Sequence, residues 1–206
     1  KNLQRAGTQD YTVGEEAFGG KGMRILQMVS SLTYGDAIGN VVLALKDAIL
    51  KLGYETEVYT EFIDERLSRG SARTMNYLPE LRADDVVINH LSNGNSWNCR
   101  FGDFPCRKII YYHNVTPPRF FEDFSVELQM NCHRGLKDVE YLADKVDYCL
   151  ADSEFNKQDL RRMGYRQKID VLPILIPYQD YNKKPSKKIM DDYGDRRTNI
   201  LFTGRI

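Results

Sequence analysis

The feature that most constrains the fold is an alternation. Short apolar runs are separated by stretches whose apolar residues recur at helical spacing. Residues 24–30 read RILQMVS, a compact apolar run bounded by turn signals, as in a buried parallel strand. A loop holding Gly35 and Gly39 follows. Ile38, Val41, Val42, Leu45, Ala48, Ile49 and Leu52 then repeat with helical period up to Gly53, where a helix-ending glycine is expected. Residues 54–60 alternate apolar and polar as a second strand, and DVVIN at 85–89 and KIIYY at 108–112 supply two more. The stripe of Val126, Leu128, Cys132, Leu136, Val139, Leu142 and Val146 predicts a long amphipathic helix. DYCLA at 147–151 reads as a fifth strand, with Asp152 or Ser153 as N-cap of a helix through Met163 that Gly164 ends; residues 169–172 form a sixth, stopped by Pro173. Strands alternating with helices require right-handed crossovers. The expected fold is therefore α/β, a doubly wound, Rossmann-like parallel sheet with helices on both faces.

That domain spans residues 23–173. Residues 1–22 are polar and aperiodic, close on Gly19-Gly20-Lys21-Gly22, and read as a leader or extension. Residues 174–198 carry Pro177, Pro185 and a cluster of lysines, the texture of an inter-domain linker. NILFT at 199–203 then starts a new apolar strand. A lone strand cannot bury both faces, so 199–206 reads as the first strand of a C-terminal domain whose remainder lies beyond Ile206.

Composition narrows the function classes. The 29 basic side chains are balanced by 29 acidic ones, which leaves no global field to hold a polyanion, and a dedicated nucleic-acid binder is disfavoured. No apolar run approaches the roughly 18 to 20 residues that span a bilayer. Cys99, Cys106, Cys132 and Cys149 are too sparse for a disulfide framework, which points to a reducing cytoplasm. Cys99 and Cys106 lie near His90 and His113, but the spacing matches no CxxC or HxxxH pattern, so no metal site is expected. Cys132 and Cys149 fall within apolar patterns as small core residues.

The loop SSLTYGDAIGN at 30–40 lies at the carboxyl edge of such a sheet, where ligands bind and where a helix start offers free N–H groups to a phosphate. It lacks the GxGxxG arrangement of dinucleotide folds, and its glycines equally serve to turn the chain. His113 follows KIIYY directly and precedes NVTPP, so it reaches the same edge. It either donates to a substrate oxygen or exchanges a proton near neutral pH, or it merely caps strand-end carbonyls. His90 carries the same ambiguity with less pointing to function, and His133 belongs on the surface of the long helix. Residues 119–123 (RFFED) form either a mobile rim or aromatic core plus a helix cap. No GxSxG elbow, P-loop, HExxH or kinase signature occurs.

Taken in order, RILQMVSSLTYGDAIGN, YYHNVTPP, LADSEFNKQDLRRMGY with VLPI, and ILFTGRI resemble the N-terminal domain of a retaining GT-B glycosyltransferase of the large family four, of the bacterial polysaccharide and glycoconjugate type. The likeness covers residues 23–206. It implies two Rossmann-like domains facing across a cleft, with the acceptor mostly on the N-terminal one and the nucleotide sugar mostly on the C-terminal one. Position by position, Gly35 and Asp36 match the loop near donor phosphates and acceptor, and His113, with Asn114 beside it, matches the histidine that reaches the transferred sugar. Ser153 and Asn156 match a second cleft loop. Arg205 matches the arginine that pairs with the donor diphosphate, a task suited to a guanidinium fork. The family's partner lysine and paired glutamates would lie beyond Ile206.

The resemblance thus implies a transferase that uses a nucleotide-sugar co-substrate without a cofactor or metal, acts on a glycan or glycoconjugate acceptor, and works in the cytoplasm, with peripheral association at the inner face of the membrane as an option. These 206 residues alone are expected to be inactive. As a residue on a cleft wall, His113 is expected to carry little core packing. Two alternatives stand beside this reading: a nucleotide-binding oxidoreductase of Rossmann type, and a non-catalytic glycan-binding or assembly domain.

Overall fold

A computed structural model describes residues 22–176, 182–195 and 197–202. Among the described residues seven strands form one sheet: β1 (Arg24–Leu32), β2 (Glu55–Ile63), β3 (Arg73–Thr74), β4 (Val86–Leu91), β5 (Arg107–Tyr112), β6 (Tyr148–Ala151) and β7 (Ile169–Val171). Their order is β3-β2-β1-β4-β5-β6-β7 and every neighbouring pair is parallel. The helices are α1 (Ala37–Lys51), α2 (Ser96–Gly102), α3 (Val126–Leu142), α4 (Glu154–Arg162) and α5 (Lys187–Tyr193). This is the expected doubly wound α/β sheet. The two-residue edge strand β3 and the short helix α2 went unforeseen, because neither is long enough to display a period.

Side-chain alternation along the strands sends apolar side chains to both faces of the sheet. Leu26 and Met28 of β1, Val87 and Leu91 of β4, Ile110 and Tyr112 of β5 and Cys149 and Ala151 of β6 pack with Phe101 of α2, with Cys132, Val139 and Leu142 of α3 and with Leu160 of α4. The intervening residues Val86, Ile88 and Tyr111 pack instead with Val41 and Ile49 of α1. Hence α1 covers one face, and α2, α3 and α4 the other.

The starts of α1, α3 and α4 carry side-chain caps of the residue types that favour that position. The Asp36 carboxylate accepts from the N–H groups of Ile38 and Gly39, and the Ser125 and Ser153 hydroxyls accept from Leu128 N–H and Asn156 N–H. The α3 stripe, however, is rotated from the one expected. Val126 and Leu128 are 66% and 47% exposed, while Gly135 and Asp138 join Cys132, Val139 and Leu142 on the buried side. Gly135 explains the rotation. A Cβ there would stand 2.8 Å from Gly94 N and 2.9 Å from the Asn93 carbonyl carbon, so only a bare backbone lets α3 sit this close to the loop after β4.

At the amino edge, Asp85 is held with no exposed side-chain surface between Arg24, at 2.5 Å, and Arg82, at 3.1 Å, and it also accepts from Arg82 N–H at 2.7 Å. Burial alone would raise its pKa, but these donors outweigh that and hold the carboxyl well below the usual carboxylate range.

The chain divides into two compact units, one ending at Ile174 and the other beginning at Leu175. Within the second, residues 187–193 of the expected linker form α5, whose Ile189, Met190 and Tyr193 are exposed. Residues 199–202 of the expected NILFT strand are exposed and join no sheet, because strand hydrogen bonds need a neighbouring strand. Thr203 and Arg205, and the leader apart from Gly22, lie outside the described residues. Among the described residues no helix is long and apolar enough to cross a membrane.

Candidate functional site

Strand order sets the location. The chain builds outward from β1 through β2 to β3, then returns to place β4 on the other side of β1. In open α/β sheets the carboxyl edge at such a reversal, here between β1 and β4, is where ligands bind. Gly35 turns the first loop at φ +75°, a left-handed conformation that favours glycine. Gly39 serves differently: a Cβ on it would meet the Thr33 carbonyl oxygen at 3.0 Å, so it lets α1 start tight against the strand end.

His113 and Asp152 are the first residues past β5 and β6, and the backbone ladder continues through them. His113 N–H donates to Leu91 O at 3.0 Å and Asp152 N–H to Tyr112 O at 3.3 Å. Because Tyr112 is opposite Ala151, His113 and Asp152 stand side by side on the α1 face. His113 Nδ1 lies 3.7 Å from Asp152 Oδ2, and no hydrogen bond satisfies that buried nitrogen. Asn156 Nδ2 donates to the other Asp152 oxygen.

On its far side His113 Nε2 meets His90 Nδ1 at 3.0 Å, and His90 Nε2 meets Gln27 Oε1 at 2.9 Å. Gln27 Nε2 in turn donates to the Val42 carbonyl of α1 at 3.2 Å. A polar chain thus climbs diagonally across β1, β4, β5 and β6 to the carboxyl edge. Register creates it. His90 is opposite Val29, two residues on from Gln27, and Tyr111, two residues before His113, is opposite His90. Diagonal neighbours on one face of a sheet lie within reach of long side chains.

This arrangement revises the expectation for His113. Its side chain is 1% exposed, its ring lies 4.2 Å from that of Tyr111, and it meets the His90 ring edge to edge with the two planes within 6°. The ring therefore takes part in packing between the sheet and α1, and only through Nδ1 and Asp152, itself 12% exposed, does it approach the edge. It bonds to another side chain, so it is no cap for strand-end carbonyls.

The remaining candidates divide. Asp36 and Ser153 are N-caps, and Asn156 is buried against Asp152. Asn114 adopts φ 71°, where its short amide is tolerated, and its Oδ1 accepts from Tyr112 OH at 3.3 Å. Gly35 and Asp36 follow β1 whereas His113 follows β5, so β4 separates the two loops. His133 is exposed, and so are Arg119 and Phe120, while Phe121 packs on the core. His90 and His113 converge, but Cys99 lies on the opposite side, its thiol donating to Asp138 at 3.6 Å. Among the described residues no three histidine, cysteine or acidic side chains could hold a metal ion. Gln27 and Asp152 were missed as site residues. A glutamine inside RILQMVS was a visible signal, but its partners depend on strand order.

Burial, reinforced by His113 beside it, holds His90 well below the ordinary histidine pKa. The unfolded chain thus binds a proton at His90 that the native state refuses, so stability falls as pH drops through about 6.5. Asp85 acts in the same direction at lower pH. Its ionised form is favoured by folding, so its contribution is complete above about pH 4 and is lost as pH falls toward its depressed native value. Melting temperature against pH should fall in two steps, the second worth on the order of 2 kcal/mol. Asp85→Asn should shrink the second step, to which Asp64 also contributes through its Arg66 pair, and His90→Gln should remove the first; a profile flat from pH 7 to 4 would contradict the His90 assignment.

No family model matches the chain, and no curated protein matches it.

Proposed function

We propose that this chain supplies the acceptor-side, Rossmann-like domain of a retaining GT-B glycosyltransferase, moving a sugar from a nucleotide-sugar donor to a glycan or glycoconjugate acceptor. The supporting observation is the carboxyl edge: the β1–α1 loop with Gly35 leaves a strand at the reversal of strand order, and the His113–Asp152 pair and the start of α4 lie farther along the same edge, past β5 and β6. The first three of the segments that resemble family four fall on these loops.

In this reading the C1–O bond to the departing diphosphate breaks while the acceptor oxygen bonds to C1 on the same face. The acceptor proton leaves with the diphosphate or passes to solvent. The loop carrying Gly35 approaches the anionic leaving group, without a metal or cofactor; the Ile38 and Gly39 N–H groups at the start of α1 are already held by Asp36. His113 and Asp152 serve the sugar end, where Nδ1 can exchange a proton with a sugar oxygen. Arg205 pairs with the diphosphate, and peripheral membrane association is left to the acceptor.

The test is a transfer assay with a panel of nucleotide sugars, run on these 206 residues and on a chain that joins them to a donor-binding half. The longer chain should release nucleoside diphosphate and form a glycoside of retained configuration, and these residues alone should not. A longer chain without turnover, or one whose melting temperature rises with NAD rather than with nucleotide sugars, would favour the oxidoreductase alternative.

A further inference from the structure

We propose that Gln27 and His90 are positioning residues that fix the neutral His113 ring with its proton on Nε2, leaving Nδ1, opposite Asp152, as the one atom through which it gains or loses a proton. The consequence for transfer rests on the reading above; the proton arrangement itself does not.

The polarity of the chain is set at its buried end. The Val42 carbonyl can only accept, so Gln27 presents Nε2 to it and Oε1 to His90. His90 Nε2 must then donate. His90 is fully buried and neutral, so its single proton is spent there and Nδ1 keeps a lone pair. That lone pair, 3.0 Å from His113 Nε2, requires a proton on the latter. The reverse polarity would turn Gln27 Oε1 against the Val42 oxygen, two acceptors face to face without a proton. A flipped His113 ring would likewise remove the donor from His90.

The other groups facing the ring leave Nδ1 free for exchange. Tyr111 OH donates elsewhere, to Leu172 O at 2.6 Å, and Asn156 holds only the Asp152 oxygen turned away from the histidine. A proton taken up at Nδ1 points toward Asp152 Oδ2, and on release passes to that carboxylate or to a ligand oxygen entering beside it. The unsatisfied, buried Nδ1 is the open end of an otherwise completed chain.

Nitrogen-15 NMR of the histidine side chains near neutral pH tests the arrangement directly in the folded protein. Both rings should carry Nε2–H, with a nitrogen–nitrogen coupling across the His113-to-His90 hydrogen bond. A proton on His90 Nδ1, a neutral His113 protonated at Nδ1, or no such coupling would overturn the proposal. In the transfer assay, His90→Leu should lower kcat about 10-fold with KM little changed, and His90→Gln, whose amide can accept from His113 and donate to Gln27, should recover most of that loss. Equal losses in both variants would sink the positioning role. If the parent shows no transfer while the coupling is present, the proposed function fails and the proton arrangement stands.

Discussion

His113→Ala should cost the protein both stability and turnover. Removing the ring empties packing space beside Tyr111 and orphans the His90 Nδ1 acceptor in a buried place. The expected loss is about 2–4 kcal/mol, the combined scale of a small cavity and an unsatisfied polar atom. A cleft residue would not behave this way, and the expectation that His113 carries little core packing is corrected by its burial. In the transferase reading, turnover should fall by about 10- to 1000-fold, the scale of one aimed hydrogen bond lost from the transition state. The alanine variant confounds the two effects, so His113→Gln separates them. Its amide nitrogen can still donate to His90, but it cannot exchange a proton near neutral pH. It should melt close to the parent and still lose turnover. A glutamine variant that transfers sugar at the parent rate would remove His113 from the chemistry, and an alanine variant that melts like the parent would contradict the packing described for the ring.

Gly135→Ala should destabilise the fold by about 3 kcal/mol although it adds a single methyl group to a helix. Alanine is normally the better helix former by about 1 kcal/mol, so the sign of the effect is diagnostic. The new Cβ meets only backbone, Gly94 N at 2.8 Å and the Asn93 carbonyl carbon at 2.9 Å, and no flexible side chain can swing away. Either α3 withdraws from the sheet or the loop after β4 shifts, and both disturb Asp138. This buried carboxylate accepts from Asn98 Nδ2 at 2.9 Å and from Asn95 N–H at 3.4 Å. Overpacking of this kind costs about 1–3 kcal/mol, and the rigid neighbours put this site at the top of that range. For a domain of this size the melting temperature should drop by roughly 6–12 °C. A melting temperature unchanged or raised would show that the contact can relax.

Much of the architecture was legible in the chain itself. The period of the apolar residues distinguished strand from helix wherever an element was long enough to repeat it. The alternation of the two then implied parallel strands and crossovers. Capping residues such as Ser153 and helix-ending glycines such as Gly53 act on their own backbone, so local sequence specifies them. Edge strand β3 and helix α2 escaped because two and seven residues contain too little period to read.

The candidate site depended on distance in space. That His113 reaches the carboxyl edge follows from its place after KIIYY. That its ring turns onto the α1 face, hydrogen-bonds His90 and faces Asp152 follows from register and strand order, which bring together residues 63 and 23 positions apart in the Gln27–His90 and His90–His113 pairs. A parallel sheet repeats every two residues and pairs any strand with any other equally well in the abstract; the packing of whole faces selects one register, and a slip by one residue would have sent Gln27 and His90 to opposite sides. Local sequence specifies the longer elements, their caps and the sheet edge that His113 reaches, because those are properties of neighbouring residues. That Gln27, His90, His113 and Asp152 form one polar chain, and that Gly135 is a contact rather than a helix defect, depends on surfaces that meet only after the sheet is assembled.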